Sequence, residues 1–359
     1  MSQKAIIVDP QGTGRLVTDA PIPRLRDDYI LAETRAIALN PTDYHHMTML
    51  SEPGATLGCD WSGVILETGK NITRFKPGEE VFGVCHGGNN DEHEDGAFAQ
   101  VVACKEIATI HKPKGLSFEE AATFGAGLAT CAQVLYYCMR LPFPSPGEIE
   151  QTSREAMLVY GGSSATGTLL IQLATLSGFR VYTTCSASNF DLVKSRGADY
   201  AFDYNDASCE TQLSETIRTN GDSFKYIVDC IGHDETASFC AKFISTEGRG
   251  GHYHSVKAPL PEVFKKLRPE ANVQATTALA YTLLGEEFHL PGMPPFPADL
   301  EQAAFAKQWQ NVAEPLVLKG LLKPHPPLVL QGGLEAVPTA IVDVGQGKVR
   351  AKKAVFSLQ

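Results

Sequence analysis

Short apolar stretches rich in β-branched residues, set off by glycine and proline, dominate the first third of the chain. Residues 4–8, 29–39, 62–68 and 96–103 follow this pattern, which predicts strands and, together, an all-β unit over residues 1–125. From 118 to 139 small and apolar residues recur at helical spacing, and the proline-bearing polar stretch 141–155 then predicts a loop. Beyond it the pattern alternates. Strands are expected at 157–160, 180–185, 200–202, 226–230 and 251–256, with helices at 168–177 and 189–196. Such alternation implies a parallel sheet covered on both faces by helices. Residues 284–297, punctuated by Pro291, Pro294, Pro295 and Pro297, are expected as an extended loop. A helix over 300–319 and a strand over 348–358 close the chain, the strand returning to the β unit. The division read from these patterns is a first domain at 1–125, a second at 126–300 and a returning segment at 301–359.

Length supports two domains, because 359 residues exceed what one core of ~250–300 residues holds. Hydrophobic residues at 43% and charged residues at 20% are those of a globular chain. No apolar run reaches the ~18–20 residues of a membrane span, and the first residues lack the basic and apolar regions of a secretory signal, so a cytoplasmic protein is expected. Nine scattered cysteines, none in a C-x-x-C pair, read as reduced thiols. A net charge of −10 argues against nucleic acid as a partner. The basic clusters at 265–268 and 348–353 read as solvated faces.

One turn carries chemistry on its own residues. Leu158-Val159-Tyr160-Gly161-Gly162-Ser163-Ser164-Ala165-Thr166-Gly167 runs from strand to small-residue turn to helix, where free N–H groups and the helix dipole favour a pyrophosphate. Some twenty residues on, the end of the next strand should choose between NAD and NADP. The chain there reads Ser186-Ala187-Ser188-Asn189, with no carboxylate before Asp191. Neutral hydroxyls and an amide suit a 2′-phosphate, so NADPH is the expected cofactor. An N-cap role for Ser188 competes with this reading.

The motifs Gly58-Cys59-Asp60-Trp61-Ser62-Gly63, Phe75-Lys76-Pro77-Gly78-Glu79-Glu80-Val81 and Gly96-Ala97-Phe98-Ala99-Gln100 resemble, in order and spacing, the zinc-free medium-chain dehydrogenase/reductase superfamily. Further segments, Tyr160 to Thr166, Cys185-Ser186, Phe202-Asp203-Tyr204 and Gly250-Gly251-His252-Tyr253, resemble its fungal trans-acting enoyl reductases of the lovastatin-pathway type. The resemblance spans nearly the whole chain. It implies an α/β protein with a GroES-like catalytic domain and a Rossmann doubly wound cofactor domain. It also implies hydride transfer from NADPH to an α,β-unsaturated polyketide thioester carried by a highly reducing polyketide synthase or synthase–peptide synthetase hybrid. A free-standing quinone or enone reductase of the same fold competes with this, as does a non-catalytic NADPH-binding partner of a synthase.

By the same resemblance, cofactor contacts fall on Thr42, Asp43, Tyr44, His45, Ser163, Ser164, Ala165, Thr166, Ser186, Ala187, Ser188, Asn189, Tyr204, Val256, Lys257, Lys348 and Val349. Substrate contacts fall on Gly125, Ala126, Gly127, Leu128, Ala129, Thr130, Cys131 and Ala132, and on Ala280, Tyr281, Thr282, Leu283 and Leu284. Tight helix packing explains the first of these runs nearly as well. His45 stands where the lovastatin-type enzyme has lysine, and with Tyr44 it is the candidate catalytic donor; a partly exposed histidine beside the cofactor is the plainer reading. Zinc-bearing relatives carry a Gly-His-Glu and a four-cysteine lobe. Here Gly58-Cys59-Asp60 replaces the first and Cys85 stands alone, so no zinc is expected. His45 and His46, adjacent on an extended loop, should point to opposite sides and not share an ion. Prolines after Leu284 block sheet-edge pairing, which favours a monomer.

Overall fold

The structure, a computed structural model, describes residues 2–144, 155–248 and 250–358. Two compact units emerge, one of residues 1–129 with 280–359 and one of residues 130–279. The first unit begins with the antiparallel pair β1 (Ser2–Val8) and β2 (Gly14–Pro21). Then come β3 (Tyr29–Ala38), α1 (Pro41–His45), β4 (Asp60–Thr68), β5 (Glu80–Val84), β6 (Val101–Lys105), β7 (Thr109–His111), α2 (Phe118–Ala122) and α3 (Gly125–Ala132). Most of the loop expected at 141–155 lies outside the described residues.

The second unit alternates β8 (Ala156–Tyr160), α4 (Ala165–Leu176), β9 (Arg180–Cys185), α5 (Phe190–Ser195), β10 (Tyr200–Asp203), α6 (Cys209–Asn220), β11 (Phe224–Asp229), α7 (Asp234–Phe243), β12 (His252–Ser255), α8 (Glu262–Leu267) and β13 (Gln274–Thr276). Its six strands run parallel in the order β10-β9-β8-β11-β12-β13, a doubly wound Rossmann sheet. All five residues of β8 are buried, as a central parallel strand with both faces covered requires. Tyr182, Phe224, Tyr253 and Phe264 fill the core on one side. At the far edge, His252 Nε2 and His254 Nδ1 lie 2.7 and 2.9 Å from the Thr276 hydroxyl. Burial pushes both histidines down, to about 4 and about 3.

After a helical turn at Ala280–Leu284 the chain re-enters the first unit with α9 (Leu300–Leu318), β14 (Pro327–Leu330), α10 (Gly333–Gly345) and β15 (Lys353–Ser357). β15 lies between β14 and β3, so the tail does return to the β unit, in the order β14-β15-β3-β4-β5-β7 with β6 also paired to β3. Trp61, Phe98, Ile30 and Phe356 centre its core.

The second unit ends at Leu279, earlier than the boundary at 300 read from the sequence. Side chains explain the difference. Glu286 accepts from the Tyr29 hydroxyl and lies 2.9 Å from Lys105 Nζ, while Asn90 Nδ2 donates to the His289 carbonyl at 2.8 Å. Phe288 stacks on Phe296 at 4.6 Å, folding the proline-rich stretch back on itself rather than leaving it extended.

Candidate active site

In the second unit the turn after β8 is built by close packing. A Cβ at Gly162 would overlap the Thr183 hydroxyl, so only glycine lets this turn lie on β9. Ser164, standing where the consensus has its middle glycine, is the N-cap of α4: its hydroxyl accepts from Gly167 N–H at 3.0 Å. The N–H groups of Ala165 and Thr166 then head the helix without intrahelical acceptors. Ser163, Ser164, Ala165 and Thr166 are all half-buried, hence reachable by a ligand.

At the ends of the neighbouring strands, Ser186 Oγ lies 3.0 Å from the Tyr204 hydroxyl, and Asn189 Nδ2 donates to Ser163 Oγ at 3.4 Å. Four of the expected cofactor residues thus meet across the carboxyl ends of β8, β9 and β10, where doubly wound sheets bind ligands. Ala187 and Ser188 are exposed beside them. Ser188 does not cap α5: the N-cap is Asn189, and its side chain makes no capping bond. A carboxylate does reach this region, from β10 rather than β9. Asp203 is held below the usual carboxylate range first by Asn205 N–H and also by Ala187 N–H. Val256 and Lys257 follow β12, with Val256 N–H donating to Asp229 O at 3.0 Å.

In the first unit, residues 41–50 are helical and not an extended loop. Asn40 caps α1, its N–H donating to Asp43 Oδ2 at 2.6 Å. Asp43 Oδ2 is thus engaged in capping, its Oδ1 is buried without a hydrogen-bond partner, and the residue is 1% exposed; burial pushes its pKa up to about 7. Thr42, Tyr44 and His45 are half-buried, and the Tyr44 and His45 rings meet edge-on at 6.0 Å. His45 and His46 stand on helical backbone, about 100° apart and not on the two faces of a strand; His46 is buried and His45 half-buried. Gly345, at the end of α10, lies against the Tyr44 ring, and Val349 packs on the same core as Tyr44. Lys348 pairs with Asp343 at 2.7 Å.

Asp60 organises the rest. Its Oδ2 accepts from Asn40 Nδ2 at 2.9 Å and from Lys353 Nζ, and its Oδ1 accepts from Ala126 N–H. One buried carboxylate so ties the start of α1, the final strand and the N-terminus of α3. A Cβ at Gly125 would meet this carboxylate and, at 2.6 Å, the Gly83 carbonyl, so that glycine is a packing requirement. Along α3, Gly127, Leu128, Cys131 and Ala132 are buried, whereas Ala126, Ala129 and Thr130 are half-buried and share a face at i, i+3, i+4 spacing. Of the second run, Leu283 and Leu284 are buried, Ala280 and Thr282 half-buried, and Thr282 donates to Gln302 at 2.7 Å. Tyr281 turns into the first unit, its hydroxyl beside Thr42, Cys59 and His46. Sequence reasoning gives no site role to Asn40, Asp60 or Lys353, and weighs His46 only as a metal ligand. The solvated-face reading of 348–353 fails at Lys353, which is buried against Asp60; a lysine opening an otherwise apolar strand is the signal for it. Among the described residues no three His, Cys, Asp or Glu side chains converge as a metal site would need, and Cys59 is a buried thiol pushed well above its usual pKa.

Residues 26–114 match the model of the alcohol dehydrogenase GroES-like domain and residues 165–260 that of zinc-binding dehydrogenases. The chain is 36% identical, over 98% of its length and 99% of the relative's, to the trans-enoyl reductase resD of Aspergillus sclerotiorum. It is 44% identical, over 80% of its length and 92% of the relative's, to the trans-enoyl reductase TOXD of Cochliobolus carbonum. Among solved structures, the CurK enoyl reductase superposes with a TM-score of 0.77 at 17% identity over 100% of both chains. The quinone oxidoreductase of Coxiella burnetii superposes at 0.69 and 22% over 99% of both. At such identities these two speak for the fold alone.

Proposed function

The chain belongs to the trans-enoyl reductases of the medium-chain dehydrogenase/reductase superfamily, and from that membership we propose that it reduces the double bond of an α,β-unsaturated thioester presented by a polyketide synthase, or synthase–peptide synthetase hybrid, with NADPH as reductant. Similarity to named trans-enoyl reductases over nearly the whole chain carries the reaction class. The cofactor assignment is supported by Ser186, Tyr204 and Asn189, neutral donors gathered where a 2′-phosphate would lie, and by Asp203 turning its charge to Asn205 and Ala187. The turn at 161–166 fits a pyrophosphate through the free N–H groups of Ala165 and Thr166.

When bound, the cofactor supplies the hydride to the β-carbon. The chain's own work is to hold the thioester and to stabilise the enolate oxygen that develops. It must also bring a proton to the α-carbon, for which His45 and Tyr44 are the donors proposed. The half-buried face of Ala126, Ala129 and Thr130 offers small side chains for an acyl chain to lie against. The solvated lysines and arginine at 348–352 suit an acidic carrier.

The test follows NADPH oxidation with an enoyl chain on a carrier domain, the same chain as a short free thioester, and a free quinone. Faster turnover of the tethered chain, from binding energy remote from the double bond, is expected. NADPH should bind roughly a hundredfold more tightly than NADH, two charge-assisted hydrogen bonds being enough for that. Turnover of quinone alone would make this a quinone reductase, and cofactor binding without turnover a non-catalytic partner.

A further inference from the structure

Tyr281 has one phenolic hydrogen and three neighbours in reach: His46 Nε2 at 3.1 Å, Cys59 Sγ at 3.2 Å and Thr42 Oγ1 at 3.4 Å. Which of them receives it is decided on the far side of His46. Ser51 Oγ lies 2.7 Å from the Gly88 carbonyl, an atom that only accepts, so the Ser51 hydrogen is spent there. His46 Nδ1, 2.8 Å from the same Ser51 oxygen, must therefore donate to it. Burial keeps this imidazole neutral, pushing its pKa down to about 4, and a neutral ring protonated on Nδ1 has a bare Nε2. That nitrogen accepts from Tyr281. The phenol oxygen is left to accept from the hydroxyl of Thr42, while the single thiol hydrogen of Cys59 has the Asp43 carboxylate as well as this oxygen in reach. Packing holds the arrangement: His86 stacks on the Tyr281 ring at 3.9 Å and 13°, and His46 meets it edge-on at 5.5 Å.

We propose that Tyr281 and His46 form a positioning relay, Thr42 to Tyr281 to His46 to Ser51 to Gly88, in which every hydrogen points inward and the Thr42 hydroxyl is fixed as an acceptor toward the bound cofactor. The inference rests on the reading that Thr42 touches the cofactor. A hydroxyl so set receives a hydrogen bond from a ribose hydroxyl or from the carboxamide of the nicotinamide half, and it gives no proton to the substrate. Tyr281, expected above as a substrate contact, acts on this account through Thr42. Its own hydrogen is committed to His46, so the α-carbon is protonated from elsewhere.

Two measurements test it. In ¹⁵N-histidine-labelled protein, with the His46 signals assigned by their loss in His46→Gln, the ring should be the neutral tautomer carrying hydrogen on Nδ1; hydrogen on Nε2 would reverse the relay and overturn the proposal. This needs no variant to be active. A double-mutant cycle on NADPH affinity then compares Thr42→Val, Tyr281→Phe and the pair. Loss of one hydrogen bond should weaken binding about fivefold to thirtyfold in Thr42→Val. Tyr281→Phe should lose a comparable part in the wild-type background and little more in Thr42→Val. Full additivity would mean that Tyr281 acts independently of Thr42, and the relay falls while the cofactor reading stands. Unchanged affinity in Thr42→Val would remove the cofactor reading of Thr42 and, with it, the role proposed for the relay.

Discussion

Lys353 and Asp60 form an ion pair whose side chains are 2% and 0% exposed, and neither can be released to water without rearranging the sheet. Lys353→Met would leave Asp60 with the Asn40 amide and the Ala126 N–H but no counter-charge. Stranding one partner of a buried pair costs about 3–5 kcal/mol. At ~2–4 °C per kcal/mol the melting temperature should fall by roughly 6–20 °C. Pairing the change with Asp60→Leu should recover part of the loss in a thermal melt, and a Lys353→Met protein that melts like wild type would show that the pair carries no stability. His45, at the end of α1, calls for a different measurement. His45→Ala should slow hydride transfer by roughly tenfold to a thousandfold, the range for one donor aimed at developing charge, with NADPH affinity nearly unchanged. Full activity in single-turnover experiments would move the donor role to Tyr44, the backbone or water.

The elements most legible in the sequence are those whose own pattern decides them. β8, β9 and the helix at Leu300–Leu318 lie within a residue of their expected limits, because apolar period and flanking turns agree there. Less legible were elements fixed by partners distant in sequence. The segment after Leu284 belongs to the first unit through Glu286, His289 and Asn90, contacts that no local pattern announces. α1 was read as extended because five residues are too few to show a period, and its cap depends on Asn40 and Asp43 acting together. The site divides in the same way. The turn of small residues could be read along the chain, whereas the Asp60 and Tyr281 networks join residues as far as 293 positions apart. The turn itself carries the next prediction. Gly162→Ala would press a methyl into the Thr183 hydroxyl, which donates to Val159 O at 2.7 Å. Overpacking of this kind costs about 1–3 kcal/mol, and displacing the turn should weaken NADPH at least about tenfold. Calorimetric titration that found wild-type affinity would remove the turn from the cofactor site.

For the molecule as a whole, buried titratable groups set the acid side of stability. His46, His252 and His254 are pushed down to about 4, 4 and 3 by burial, while the unfolded chain takes up protons below about 6.5. Each therefore contributes a stability that is full above pH ~6.5 and declines as pH falls toward the folded value, since the unfolded state binds the extra proton. Asp43 and Asp95, raised by burial to about 7 and about 6, are protonated more readily when folded and oppose that decline. Replacing one histidine isolates its share: His254→Gln should flatten the pH dependence of the urea midpoint between about pH 6.5 and 4.5. An unchanged slope would mean that His254 is protonated in the folded protein. The position of β15 bears on a different stage of the protein's life, its synthesis. Asp60 and Lys353 are separated by 293 residues, so at ~5–20 residues per second a ribosome needs about 15–60 s to deliver the cation after the carboxylate. Throughout that interval the flank of β3 that β15 will occupy is an unpaired strand edge, the kind that recruits other chains. The nascent first unit thus waits, sticky and incomplete, while the contiguous strands of the second are made, and the yield of folded enzyme in a cell should depend on how well chaperones cover that edge until the last strand arrives.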